Sequence, residues 1–366
     1  MKRAVLFALG TFSLLCFTAC SISKSGVYNK KRKPSMLLNS LKKNNEKGIM
    51  LGHQDDLAYG IGWKYNSKEK ELSSDVYKAT GQYPAVLGWD IGNIGNPLNI
   101  DGVPFEDMKE LMLRGYKKGA VNTVSWHPFL FNNSISSWIK QDGLVKSLLP
   151  GAKNHQELLK KLDQVADFFQ SLKISRNKSM PLIFRPWHEM DGSWFWWGQK
   201  YCTNDEYKQL FVFTVDYLKN TKGLNNLLIA YSPDRHFYSD ADYLKWYPGD
   251  EYVDILGVDN YYDFKEGGDG LESIVKKLSI VVSIAEQRGK IPAFTETGSA
   301  GINDPTWFTQ KLDKVLSENN LKSKLSYVLL WRNQKKDHVY IPYEGHSALQ
   351  DFIKFAKSEN VLLLKK

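Results

Sequence analysis

Two glutamates stand in settings that suit acid and nucleophile chemistry. Glu189 follows His188 in the stretch RPWHEM at residues 185–190, and an Asp191-Gly192 turn then leads into four consecutive aromatics at residues 194–197. Glu296 lies in FTETG at residues 294–298. A carboxyl among indole rings loses hydration, which raises its pKa toward that of a working acid, and pyranose C–H faces stack on such rings. Two carboxyl groups roughly 5–5.5 Å apart are what retaining hydrolysis of a glycosidic bond requires, one as proton donor and one as nucleophile. The competing account makes the aromatic run core and Glu189 a solvated loop residue.

Other chemistries fit less well. His188-Glu189 begins like a zinc-protease motif, but Met190, Asp191 and Gly192 follow, so the second histidine of that motif is missing. There is no G-x-S-x-G nucleophile elbow, and no glycine-rich phosphate loop follows any strand-like run. We expect no metal and no cofactor.

Eight apolar, strand-like runs lead to these residues, at 49–55, 83–92, 120–128, 180–189, 226–234, 253–263, 291–299 and 325–333. Segments of helical period separate them. Between 155 and 172, Leu158, Leu162, Val165, Phe169 and Leu172 recur on one face. Similar patterns cover 105–118, 205–219, 271–288 and 305–318, with a last helix expected at 346–358. Alternation of this kind predicts a (β/α)8 TIM barrel, although an open doubly wound sheet would read similarly. The strand ends favour the barrel. They carry His53-Gln54-Asp55, Trp89-Asp90, Trp126-His127, His188-Glu189, Asp234, residues 259–262, Glu296 and Trp331-Arg332. Only a closed barrel brings all of these to one mouth. Asp90 and Trp138 are further mouth candidates. Strands four and seven oppose each other across eight, so Glu189 and Glu296 face one another.

The remaining sequence concerns location. Residues 1–19 read as a lipoprotein signal peptide: Lys2-Arg3, an apolar run, then Phe17-Thr18-Ala19 before Cys20, with Phe where a lipobox usually has Leu. Cys20 is then the lipidation site. The alternative is a soluble secreted protein cut nearby. Residues 20–35 form a flexible polar tether, and 36–366 one catalytic domain without internal repeats. No acidic run follows Cys20, so a periplasm-facing outer-membrane anchor is the expected address. With Cys16 and Cys20 accounted for, Cys202 alone remains of the three cysteines, and no disulfide is expected. Composition is globular, 42% hydrophobic and 24% charged over 366 residues. The net charge of +9 drops to +7 once Lys2 and Arg3 leave with the signal. Much of it is the KKRKP stretch at 30–34, and no nucleic-acid motif accompanies it. We read a monomer that binds no nucleic acid.

RPWHEM with Trp194 five residues beyond the Glu, FTETG, GVDNYY at 257–262 and LLWRN at 329–333 together resemble glycoside hydrolase family 26, chiefly bacterial β-mannanases, across about residues 49–333. The resemblance implies Glu189 as acid/base and Glu296 as nucleophile. It implies that His188 lines the reacting subsite, that Tyr261 hydrogen-bonds the nucleophile with Asp259 beside it, and that His127 and Trp331 hold the sugar at subsite −1. Arg332 would reach the next sugar out, and Trp194 would stack at +1. Two alternatives are plainer: His127 as a satisfied core histidine, and Asp259 as a residue that only orients neighbours. The implied activity is retaining cleavage of β-1,4-mannosidic bonds in mannan or mannooligosaccharides, either internally or releasing mannobiose. In the second case the insertion at 129–152 would wall the groove. The alternatives are the same fold acting on glucan or xylan, and a non-catalytic glycan-binding lipoprotein.

Overall fold

A computed structural model describes residues 36–364. The expected signal peptide, Cys20 and the tether therefore lie outside the described residues. Eight parallel strands close on themselves: β1 (Ile49–Gln54), β2 (Val86–Asp90), β3 (Val121–Ser125), β4 (Leu182–Arg185), β5 (Leu227–Tyr231), β6 (Ile255–Asn260), β7 (Ile291–Thr297) and β8 (Tyr327–Leu330). Each pairs with its sequence neighbour, and β8 returns to β1 in the register Met50 with Tyr327 through His53 with Leu330. The closed (β/α)8 barrel is thus the observed architecture, and all eight expected strands are in it. A ninth short strand, β9 (Val361–Leu362), adds to the start of β1.

Strand alternation divides the core in two. Met50, Val86, Ile183, Ile255, Ile291 and Leu329 fill the barrel interior, while Leu51, Leu87, Phe184, Leu256, Phe294 and Leu330 pack outward against the helices. Nearly every strand residue is buried, as expected for a parallel sheet covered by helices. The helix Met36–Asn45 sends Leu37 and Leu41 into the interior cluster and so stoppers the N-terminal end of the barrel.

The helices follow the apolar spacing. Phe105–Lys118 and Leu271–Arg288 match the expected spans, and His155–Ser171 nearly so. Asn204–Asp216 begins at a capping box in which Thr203 and Glu206 satisfy each other's backbone N–H. It continues as a wider turn, Tyr217–Thr221, before Gly223 ends it at a φ of 72°. The expected 305–318 helix is a wide turn, Phe308–Leu312, joined to Asp313–Ser317. No helix among the described residues is long and apolar enough to cross a membrane.

Candidate active site

The C-terminal mouth of the barrel holds a cleft of about 330 Å³ lined by Glu189, Glu296, His127, His188, Trp194 and Tyr261, with Trp138, Phe195, Trp331 and Tyr340 completing its aromatic walls. Lys265, Gly298 and Ala300 also line it. Asp259 and Arg332 do not.

Each carboxylate reaches the cleft by a departure from regular backbone. On β7, strict alternation from Ile291 and Ala293 would turn Glu296 outward. Between Val258 and Asp259 the β6–β7 register slips, so that Asp259 faces Glu296 and Thr295 is the extra residue. This bulge turns Glu296 inward. On β4, the chain leaves the strand after Arg185, and both Trp187 and Glu189 take a φ of 55°. Non-glycine residues rarely occupy that region and need surrounding contacts to hold them there. The contacts are present. Trp187 is fully buried, its Nε1 donates to Thr214 Oγ1 at 3.0 Å, and its carbonyl accepts from Tyr207 Oη at 2.9 Å. The Glu189 N–H donates to the Ser232 carbonyl at the end of β5. Asp191 accepts from the N–H groups of Asp234 and His236, which ties the Asp191-Gly192 turn to the β5 loop. Gly192 is needed there because a Cβ would strike the Trp194 ring folded over it.

Beneath the cleft, Arg185 lies two residues after interior Ile183 and therefore points up the barrel axis. Its guanidinium donates to Asp259 Oδ2 at 2.5 Å, to Ser232 Oγ at 3.1 Å and to Glu296 Oε1. Glu296 accepts a second bond at Oε2 from Tyr261 Oη, 2.9 Å away. Asp259 also takes Thr295 Oγ1 at 2.6 Å and is fully buried. It therefore stands behind the cleft floor and orients Arg185 and Thr295, in keeping with the plainer of its two expected roles. Arg332 lies to one side, its Nε 3.0 Å from Asp101 and its guanidinium 3.5 Å from Tyr59 Oη.

One carboxylate oxygen each from Glu189, Asp259 and Glu296 lies within 4.8 Å of the others. Hard cations use such groupings, but here the cation that Asp259 and Glu296 share is the Arg185 guanidinium. A separation of that size leaves no room for a water on the far side of a sugar, as inversion would need.

The two catalytic candidates differ electrostatically. Burial holds the Glu189 proton to well above the ordinary carboxyl range. The charges of Glu296, Asp234 and Asp259 add to this, and a 2.6 Å bond from Trp194 Nε1 partly opposes it. The histidines also diverge. Burial, then the Arg185 and His127 charges, push His188 well below its usual pKa, which keeps the imidazole neutral. Burial also works against protonation of His127, but the Asp90 carboxylate, 2.6 Å from Nδ1, outweighs it and leaves the pKa raised. Asp90 is correspondingly lowered: burial would raise it, but His127, Ser125 and the Gly92 N–H together stabilise the anion. His127 stacks flat on Trp138, 5.1 Å between centroids, and meets His188 edge-on.

Of the aromatic run, Trp196 and Trp197 are core, whereas Trp194 and Phe195 face the cleft. The expectation of rings around Glu189 and the alternative of a core cluster each describe half of it. Arg185 had no role in the sequence reading. Its signal was a charged residue ending an otherwise apolar buried strand. Tyr340 had none either. It follows β8 by ten residues and packs over Gly298, where any side chain would collide with its ring.

The sequence profile of Glycosyl hydrolase family 26 matches residues 28–330. A mannan endo-1,4-beta-mannosidase of Bifidobacterium adolescentis is 34% identical over 342 residues, 85% of this chain but 33% of that protein, so the chain spans about a third of its length. One of Bacillus subtilis strain 168 is 29% identical, over 76% of this chain and 74% of its own. Among solved structures, a family 26 beta-mannanase from Bacteroides ovatus superposes with a TM-score of 0.84 at 39% identity, covering 92% of this chain and 96% of its own. The profile match spans the barrel and both glutamate-bearing strands, and the chain belongs to glycoside hydrolase family 26.

Proposed function

We propose that the chain is a β-1,4-mannanase that cleaves mannan or mannooligosaccharides with retention of anomeric configuration. The observation that carries this is the pair Glu189 and Glu296, with carboxyl oxygens within 4.8 Å of each other in an aromatic-walled cleft. Glu296 receives two donors, from Arg185 and Tyr261, which hold its carboxyl in place to act as the nucleophile. Glu189, with its proton held by burial, gives it to the departing glycosidic oxygen. Glu296 then carries the glycosyl group until water, activated by the now ionised Glu189, releases it. His127 and Trp331 contact the sugar being cleaved. Neutral His188 lines the same position, Trp194 stacks on the first sugar of the leaving chain, and Arg332 lies toward the next sugar on the other side. The mannan-named relatives favour mannan over glucan or xylan.

The test is reducing-sugar release from linear mannan, with NMR of the first product from a mannooligosaccharide. The β-anomer is expected before mutarotation, and the α-anomer first would overturn the two-step mechanism. A mannohexaose product profile separates internal cleavage from mannobiose release. Trp138, within the 129–152 insertion, flanks the cleft, and this is the feature that makes the second mode worth testing.

We further infer that the protein is exported and lipid-anchored at Cys20, on the strength of the leader and Phe17-Thr18-Ala19-Cys20. Cys20→Ala should move the protein from the membrane fraction to the soluble one with its specific activity unchanged. Retention in the membrane would refute the anchor.

A further inference from the structure

Two exposed tyrosines stand next in sequence or by contact to residues around the cleft. Tyr262 and Tyr238 are 39% and 55% exposed, yet both are held in place. Tyr262 Oη donates to the Gly267 carbonyl at 3.0 Å, and the Arg235 guanidinium lies 4.0 Å above its ring. Tyr238 Oη donates to Asp269 Oδ2 at 3.0 Å, with Lys277 Nζ 4.9 Å from its ring centroid. A cation takes one face of each ring, so the exposure belongs to the other face and the edge.

Chain neighbours and one cation link the tyrosines to the cleft. Tyr262 lies between Tyr261 and Lys265, both of which line it. Arg235 precedes His236, whose ring is 6.3 Å from that of Trp194. The strip starts beside Trp194, which bonds the candidate acid Glu189, and therefore lies on the leaving-group side. Its charges are internally paired: Arg235 with Asp234 at 2.7 Å, and Lys277 with Asp263 and Asp269 at 2.7 and 3.4 Å. The two cations that cover the rings are thus already neutralised. The surface offers aromatic faces flanked by hydrogen-bonding groups, which suits a neutral polyhydroxylated chain. Rings already fixed by a hydroxyl bond and a cation lose little freedom when a sugar stacks on them.

We propose that Tyr262, and beyond it Tyr238, are stacking platforms for sugars of the leaving chain past the one at Trp194. This rests on the hydrolase reading above. Tyr262→Ala should lower kcat/KM on mannohexaose roughly 3–10-fold, the size of one aromatic stacking contact. It should leave an aryl mannobioside, which ends at the first leaving position, unchanged. Tyr238→Ala should do the same with a smaller effect. Tyr262→Phe, which keeps the ring, should keep the hexaose rate, and melting temperatures serve to exclude misfolding. Equal losses on both substrates, or an unaltered hexaose rate in a folded Tyr262→Ala, would overturn the platforms while leaving the hydrolase reading intact. A wild-type protein inert on mannohexaose would overturn both.

Discussion

Arg185→Met tests the electrostatic design of the cleft floor. Arg185, Asp259 and Glu296 are 1%, 0% and 4% exposed, so the guanidinium is the charge that compensates two carboxylates out of water. Removing one partner from a buried ion pair costs about 3–5 kcal/mol, because the remaining charge is left without compensation. Here two charges remain, with oxygens within 4.8 Å of each other. At an effective dielectric of about 20 their repulsion is about 3.5 kcal/mol. Burial already holds the Asp259 carboxyl well above its ordinary pKa with the Arg185 charge opposing, and losing that charge should raise it further. The sign follows. Without the cation the cluster takes up a proton more readily, so the acidic limb of the kcat/KM profile should move to higher pH, and activity lost near neutrality should partly return as the pH rises. Stability measured by urea denaturation should fall by about 3–5 kcal/mol at pH 7, with the deficit shrinking as the pH drops and the carboxyls protonate. Arg185→Lys keeps the charge without the fork that reaches both carboxylates, and should fall between the two. A folded Arg185→Met with wild-type stability and an unmoved acidic limb would refute this reasoning.

Three further outcomes are expected. Glu296→Ala should lose roughly 10³–10⁵-fold in kcat, about 4–7 kcal/mol, while calorimetry shows mannohexaose still binding; wild-type-like turnover would remove Glu296 as nucleophile. Glu189→Ala should lose about 10²–10⁴-fold on mannan but much less in the first step on an aryl mannobioside with a good leaving group, and it should lose the basic limb of the pH profile. That limb exists because the raised Glu189 stays protonated until the pH climbs through its shifted pKa; equal losses on both substrates would argue against it as the acid. Asp90→Asn removes the charge that raises the His127 pKa, so the imidazole should lose its proton at a lower pH, read directly by NMR titration. An unmoved His127 would show that Asp90 does not set its state.

The fold was legible because its signals are local and periodic. Leu158, Leu162, Val165 and Phe169 name a helix face, and each strand ends where polar groups begin. The two glutamates were legible because barrel topology sets strand four against strand seven whatever the side chains. What stayed hidden depends on register and on contacts distant in sequence. Nothing in FTETG announces that Thr295 is an extra residue, so Glu296 is aimed by a slip that only pairing with β6 reveals. Arg185 is 74 and 111 residues from the carboxylates it joins. Asp259 stands two positions before Tyr261, yet one is beneath the floor and the other on the wall. Trp194 to Trp197 look alike in sequence, and the turn at Gly192 decides which of them meets the cleft.

The helix Met36–Asn45 and the strand β9 converge on the starting rim of β1, opposite the mouth. Both described ends of the chain are therefore handles on the blind side of the molecule. For a substrate that is a long, stiff polymer, this geometry matters as much as affinity does. A barrel fastened to a resin, a fibre or another domain through either end keeps its cleft turned toward the medium, where a chain too large to enter a narrow gap can still be laid across it. Attachment through surface lysines at random would turn a share of the molecules face down. A tag or fusion at position 36 or 364 should keep full activity on the polymer, whereas random coupling should lower it on the polymer more than on short oligosaccharides.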